Sequence, residues 1–516
     1  ANTRLYEMQK NNYLWDNFET NNTNMTDRLK RILVLFIGTV LLASCSGNKV
    51  PEVIDVTGPE GLVGHNVGVL GGSLCDIQFE EIASGANKQI YNTEPELLAA
   101  VDKGRTDFIV MDSIFIVGVD KEQHPIEVAY VEHKIGGDIS VAFNKEDTEL
   151  CLQFNQFLAQ IKADGTYDQM MDRWVSDKVH TSEMPEIERY TEGEPLKAGL
   201  TLGLPCTFIK NGEWAGMEVE LMVRFAAYLH RPVSLQTYEF SSLMAALKTG
   251  VIDAWCAFIT VTDERKKEVL FSDPYFHCDV ALFRKAAVAS NAADPFYVKI
   301  SRSFNNNLLV ENRWKMLVDG VWETIVISIL SLIFGTLLGG LICLLRMSKR
   351  KFVAGFAKVY VEILRGVPML VFLMVMFYVV LSSAGMSGRW VAIISFAINF
   401  SAYACEIFRT GITSVDKGQT EAGMAMGFTR VGTFFYFVLP QAVKNILPVF
   451  KNEAVSLVKG TSIVGYVAIQ DLTKVSDIIR ARTFDAFFPL IVISIIYFIL
   501  AWLFGKGLDC LSKKLS

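Results

Sequence analysis

No phosphate-cradling loop of the form G-x-x-x-x-G-K-[ST] occurs anywhere in the 516 residues, so the chain has no segment of that kind to hold ATP. Any ATP-driven work must draw on another subunit, and no cofactor is expected on this chain. Basic tracts are missing as well, and a net charge of -6 over so long a chain carries no nucleic-acid signature. The nine cysteines include none at metal-ligand spacing. Cys75, Cys151, Cys206, Cys256 and Cys278 are scattered, Cys343 and Cys405 fall in apolar runs and Cys510 lies in the tail, where they read as small hydrophobes. No metal site is expected, and no disulfide pairing can be deduced. Charge, finally, is absent from Ile325 to Leu345, Val367 to Met386, Trp390 to Cys405 and Phe487 to Phe504. Those runs read as transmembrane helices.

What is present divides unevenly. Before about residue 310 the charges are interspersed as in a soluble domain, and the apolar excess behind the 51% hydrophobic content sits in the last 200 residues or so. Near the start, "MTDRLKRILVLFIGTVLLASC" from Met25 sets basic residues before an apolar run and small residues before Cys45. This resembles a bacterial lipoprotein signal, with cleavage before Cys45 and acylation of its thiol expected; the alternative is an uncleaved helical anchor. Residues 25–45 are assigned to this signal. Residues 1–24, rich in Asn, read as unstructured or as lying upstream of the true start.

Between residues 46 and 290, short apolar runs such as "HNVGVL", "TDFIVM", "KAGLTLGL" and "VIDAWCAFI" alternate with amphipathic stretches, an α/β pattern. "MEVELMVRFAAYL" places Met217, Leu221, Met222, Phe225, Ala226 and Leu229 on one helical stripe. "GEWAGMEVELMVRFAAYL", "LMAALKTGVIDAWCAFITVTDERKKEVLFSDPYF" and "IKADGTYDQMMDRWV" together resemble the extracytoplasmic binding proteins for polar amino acids. The resemblance implies a two-lobed periplasmic-binding-protein fold of type II. It also implies an unusual order: lobe 2 at about 58–140, then the helices that return to lobe 1, then the opening half of lobe 1, so that lobe 1 spans about 141–285. We read this as a circular permutation joined through "SEMPEIERYTEGEPL"; two tandem, half-deleted domains are the alternative.

A site for a free amino acid must pair a carboxylate and an ammonium in a desolvated cleft. Arg265 offers two parallel guanidinium donors, which Lys266 or Lys267 cannot match, and the resemblance makes it the carboxylate clamp. It makes Asp112, after an apolar strand, the acceptor of the α-ammonium. Phe208 and Phe240 lie where the family presents aromatic walls, Thr260 and Ser73 add hydroxyls, and the "LGGS" turn offers backbone N–H groups at a helix start. Two departures are visible. Phe258 replaces a small residue and Cys206 an aromatic, so side-chain specificity is not inherited.

The last 200 residues carry a second resemblance. "EAGMAMGFTRVGTFFYFVLP", Glu421 to Pro440, fits the E-A-A, three residues, G, nine residues, I, one residue, L-P pattern of ABC importer permeases, with Gly423 for the second Ala and Phe437 for Ile. "ILRGVPMLV", "SVDKGQTEAG" and "LPQAVKNILPVFKNEAVSLVKGTS" are similar to the amino-acid branch of those permeases. An all-α, five-helix transmembrane domain of the type I importer class is implied over 315–516, behind a linker at 291–314. Glu421, Ala422, Gly423, Gly427, Leu439 and Pro440 then mark a cytoplasmic helix that docks on an ATPase subunit. Glu421 is placed near a helix start, Gly427 at a close turn and Pro440 where a membrane helix reopens.

The N-terminal signal puts the binding domain outside, so the first interhelical loop lies inside, where Arg346, Lys349, Arg350, Lys351 and Lys358 obey the positive-inside rule, and the C-terminus is expected in the cytoplasm of a bacterial inner-membrane protein. A fourth span at about 446–469 contains Lys451, Glu453 and Lys459; Glu453 is the candidate for meeting the passing substrate. The reading is an ATP-driven importer of a polar amino acid, working as a homodimer with two ATPase subunits. A ligand-gated, glutamate-receptor-like channel and an amino-acid sensor are the alternatives.

Overall fold

The computed structural model describes Val56 and residues 58–119, 124–176, 178–286, 296–382 and 386–515. The signal, Cys45, the residues before them and the first part of the linker lie outside these. Short runs of alternating or wholly apolar residues form twelve strands among the described residues. Strands β1 (Asn66–Leu70), β2 (Asn87–Tyr91), β3 (Phe108–Asp112) and β4 (Ile126–Ile139) build the sheet of lobe 2. Strands β5 (Ala142–Phe143), β6 (Leu196–Leu200), β9 (Val233–Thr237), β10 (Ala254–Trp255) and β11 (Leu270–Phe271) build that of lobe 1 in the order β11-β5-β10-β6-β9. Strands β7 (Phe208–Lys210) and β8 (Glu213–Ala215) form a hairpin.

One boundary differs from the sequence reading. Strand β12 (Phe276–Lys285), expected to close lobe 1, enters the lobe 2 sheet instead, whose order is β2-β1-β3-β12-β4. The parallel strands β1, β2 and β3 leave an edge on β3, and an antiparallel strand arriving from the other lobe fills it. The chain therefore crosses between lobes twice, side by side: Tyr275 N–H donates to Ile139 O at 3.0 Å and Ser272 N–H to Val141 O at 2.9 Å.

The returning helices pack into the core of lobe 1. Helices α2 (Thr148–Ala163) and α3 (Thr166–Trp174) close over α4 (Met217–Tyr228), with Phe154 and Phe157 against Phe225 at 5.0 and 5.5 Å between ring centroids. Helix α1 (Glu94–Asp102) precedes them in lobe 2, and α5 (Phe240–Lys248) follows in lobe 1. Fully buried Glu220 on α4 accepts hydrogen bonds from Arg173 (2.7 Å), Trp174 Nε1 (2.7 Å) and Arg224 Nε (2.8 Å).

Behind the binding domain, the described residues include four helices long and apolar enough to cross a membrane, five if one bent pair counts as a span. Part of the expected linker is itself helical, α6 (Phe296–Phe304), and leads to the long α7 (Arg313–Arg346). The second expected span, Val367 to Met386, begins at a 107° bend between α8 (Lys351–Gly366) and α9 (Met369–Val375). Pro368 has no N–H to continue the helix, and it forces Val367 into an extended conformation (φ -92°, ψ 130°). Then come α10 (Gly388–Thr413), α11 (Lys417–Ala425), α12 (Leu439–Gly460), α13 (Leu472–Thr483) and α14 (Phe488–Leu515). Helices α7 and α10 approach closely along Gly335-x-x-x-Gly339: a Cβ at Gly335 would lie 2.8 Å from Ala397 O, and one at Gly339 2.6 Å from Ala404 Cβ.

Replacing Glu220 by alanine strands two guanidinium groups. Thermal unfolding of the chain should register a loss of about 3 kcal/mol or more, whereas an unchanged midpoint would mean that this network does not hold α3 to α4.

Candidate substrate-binding and transport site

Ligands of open α/β sheets sit beyond the carboxyl ends of the parallel strands, and here those ends face each other across the two crossings. From lobe 1, Arg265 follows β10 in a one-turn helix capped by Thr262 Oγ1, which accepts from Arg265 N–H at 3.3 Å. Its Nη1 donates to Thr260 O at 2.8 Å, and its guanidinium carbon lies 5.4 Å from the centre of the Phe240 ring. Its Nη2 reaches across to lobe 2, 3.3 Å from Gly72 O. The structure thus brings together Arg265, Thr260, Phe240 and the turn that holds Ser73.

Ser73 has a different local duty from the one expected. Its Oγ caps a four-residue helix by accepting from Asp76 N–H at 3.2 Å. The expected N–H cradle is already occupied: Gly72 N–H donates to Asp76 Oδ2 at 2.8 Å and Ser73 N–H to Leu70 O at 3.2 Å. Phe208 also departs from expectation. On the β7–β8 hairpin it is buried in the core of lobe 1, edge-on to Trp174 at 5.9 Å, because the hairpin folds back onto the returning helices. Phe258 adopts φ 48° and stacks obliquely on Phe276 at 5.8 Å.

Asp112 ends β3 in lobe 2, where burial pushes its carboxyl up to about 6. Glu94, which sequence reasoning missed, stands at the start of α1; burial, with Asp112 nearby, pushes it up to about 8. The lobes are in direct contact around these groups. A Cβ on Gly203 of lobe 1 would lie 3.1 Å from Glu94 Oε1, and one on Gly118 of lobe 2 would lie 2.5 Å from Leu204 Cβ.

The closed binding domain is seated on the helical part through α13 and the residues just after it. Arg480 Nη2 lies 3.1 Å from Glu96 in lobe 2, and the Phe484 ring meets Phe115 of that lobe edge-on at 5.5 Å. Towards lobe 1, Lys474 Nζ lies 3.2 Å from Glu239 and the Arg482 guanidinium 4.9 Å from the centre of the Phe208 ring. Arg482 also pairs with Glu311 at 2.7 Å, and Thr483 Oγ1 donates to Asn307 Oδ1 at 2.8 Å, so the segment ahead of α7 is tied to the same place. One helix of the apolar half therefore touches both lobes.

Within the bundle, a cavity of about 480 Å³ is lined by Arg365, Tyr403, Glu406, Asn445 and Glu453 among others. Glu453, the candidate substrate contact, is one of the residues of that lining. Lys451, two residues earlier, pairs instead with Asp509 of α14 at 2.6 Å. Asn445 Nδ2 donates to Ser414 Oγ at 2.9 Å, linking this wall to the chain that enters α11.

Asp416 caps α11, so Glu421 sits mid-helix and not at its start. Glu421 and Ala422 are exposed. Gly423 is required by packing, since a Cβ there would lie 2.6 Å from Thr433 Cγ2. Gly427 turns the chain at φ 89°, and Leu439 and Pro440 open α12.

The raised carboxyls carry a pH signature. Each holds its proton in the folded chain above the pH at which the unfolded chain, with ordinary carboxylates near 4, releases it. Their contribution to stability is full below about pH 4 and is lost as pH rises through about 6 for Asp112 and about 8 for Glu94. Thermal unfolding of the ligand-free protein should show this fall, and Glu94→Gln should flatten its part above pH 6; an unaltered slope there would refute the assignment.

Residues 325–515 match a family model described as the binding-protein-dependent transport system inner membrane component, and residues 38–177 match bacterial extracellular solute-binding proteins, family 3. The putative glutamine transport system permease protein GlnP of Rickettsia felis is 34% identical over 205 residues, which are 39% of this chain and 92% of that protein. The L-cystine transport system permease protein TcyB of Bacillus subtilis is 35% identical over 212 residues, 41% of this chain and 91% of that protein. A crystal structure of an amino acid ABC transporter with histidines aligns at 33% identity and a TM-score of 0.37, covering 43% of this chain and 98% of that one. The chain belongs to the inner membrane components of binding-protein-dependent transport systems, with an extracellular solute-binding region of family 3 ahead of its permease.

Proposed function

We propose that this polypeptide is both the receptor and the permease of an ATP-driven importer for a polar amino acid. The observation that carries the reading is the joining in one chain of a closed cleft, with Arg265 on one lobe and Asp112 on the other, to a helical bundle with its own cavity at Glu453. Arg265 clamps the substrate carboxylate through two charge-assisted hydrogen bonds, Asp112 takes the ammonium, and Thr260 and Phe240 close the site around them. Glu453 meets the substrate in the bundle.

The likeness to permeases supports the rest. An ATPase subunit supplies the energy and docks on the exposed α11 around Glu421, with Met426, Val431 and Tyr436 offering apolar contact beside it. Two copies of the chain supply the two membrane domains of a complete importer. The binding domain faces outward and the C-terminus inward, in keeping with Arg346, Lys349, Arg350, Lys351 and Lys358 on one interhelical side. Acylation at Cys45 would add an anchor. The segment order reads as a circular permutation, supported by the two adjacent crossings: they make one two-lobed domain, where two truncated copies would have no reason to complete each other's sheets.

Proteoliposomes holding this chain and its ATPase should accumulate an amino acid only with ATP inside the compartment the ATPase faces. Arg265→Ala should weaken binding by roughly tenfold to a hundredfold, the equivalent of about 1.5 to 3 kcal/mol. Glu453→Gln should slow uptake while leaving cleft affinity unchanged. Amino-acid-evoked ion current without ATP-dependent uptake would replace the importer with a channel.

A further inference from the structure

We propose that Glu94 is a specificity residue of the cleft, and that the substrate is an amino acid with a positively charged side chain, an ammonium or a guanidinium. This rests on the reading that the cleft binds an amino acid, and it names which class.

Position comes first. Strand β2 ends at Tyr91, and three residues later Glu94 opens α1, at the same edge of the lobe 2 sheet as the Ser73 turn after β1 and Asp112 on β3. Its carboxylate is directed across to the other lobe. A Cβ at Gly203, in the turn after β6, would lie 3.1 and 3.3 Å from its two oxygens, closer than ordinary van der Waals contact. An acidic residue in a first helical turn ordinarily serves the N–H groups there. Here Glu94 Oε2 is buried with no hydrogen-bond partner among the described residues. Nor does Thr93, in the cap position of α1, cap it: its Oγ1 is likewise buried and unpartnered, as is Thr201 Oγ1 across the cleft beside Gly203. Orphaned polar atoms from both lobes at one interface call for a polar ligand between them.

Charge then selects the ligand. An α-amino acid brings a carboxylate for Arg265 and an ammonium for Asp112, which leaves one carboxylate over. Neighbouring acids are already spoken for, Glu96 by Arg480 at 3.1 Å and Asp76 by Lys88. A cationic side chain balances Glu94. A neutral amide can hydrogen-bond Glu94 but offers it no charge pair, and a second carboxylate cannot ionise beside it without repulsion, so only a cationic side chain draws Glu94 into its ionised form and compensates it. Burial and Asp112 already press Glu94 towards its protonated form, and a cation between the two acids relieves both effects. The aromatic faces of Phe240 and half-buried Phe258 can cover the methylenes of such a side chain.

Calorimetric titration of the full chain with L-lysine, L-arginine, L-glutamine and L-glutamate tests this. The expected order puts lysine or arginine at least about tenfold tighter than glutamine, with glutamate weakest. Glu94→Gln should cost the cationic ligands about tenfold or more and change glutamine by less than about threefold, while Glu94→Asp keeps the preference in part. Tighter binding of glutamine than of lysine by the unaltered chain, or an equal loss for all ligands in Glu94→Gln, would overturn the assignment while the amino-acid receptor stands. Failure of every amino acid to bind would bring down both.

Discussion

Two arginines two residues apart on a single permease helix connect the halves of this molecule. Arg480 reaches Glu96 in lobe 2, and Arg482 lies over Phe208 in lobe 1 while pairing with Glu311 ahead of the first long helix. Both side chains are almost wholly buried, and buried charges without partners are costly. The two sets of contacts are made together in the lobe orientation seen here, the one in which Gly118 meets Leu204 and Arg265 meets Gly72. Contact between the lobes and the seat of the binding domain on α13 thus occur together in this structure.

That arrangement gives the cleft residues a second consequence. In the proposed reading, a substrate held by Arg265, Asp112 and Glu94 favours the lobes in contact, the arrangement in which Lys474, Arg480 and Arg482 of α13 meet Glu239, Glu96 and Phe208. On that reading, binding energy gained in the cleft would reach the bundle through the lobe 2 contact of Arg480 with Glu96. Phe208, displaced from the ligand site in this structure, acquires a role as the surface on which Arg482 rests. The helical segment after residue 296 adds to the same seat through Asn307 and Glu311, so the binding domain is docked and not merely leashed.

Much of this was legible in the sequence because it is written locally. The "TDERKK" run fixed Arg265 near Thr260, the apolar stripe of "MEVELMVRFAAYL" fixed the face of α4, and the length of the uncharged runs marked the membrane helices. What escaped notice depends on partners far away in the chain. Strand β12 has the same apolar alternation whichever sheet it joins, and only the open edge of β3 decides. Phe208 reads equally well as a wall or as core until Trp174 is placed beside it. Glu94 looks like an ordinary first-turn acid unless Gly203, more than a hundred residues on, is known to face it. Lys451 gives no hint of Asp509, and the charges of α13 resemble a solvated face although they are buried.

The most direct test of this account is a charge exchange between Glu96 and Arg480, read as the increase in ATP hydrolysis that the amino acid evokes in the reconstituted complex. The account predicts that Glu96→Arg or Arg480→Glu alone abolishes that increase while leaving amino-acid binding in place, and that the two together restore it. Single exchanges that leave the stimulation intact would contradict it.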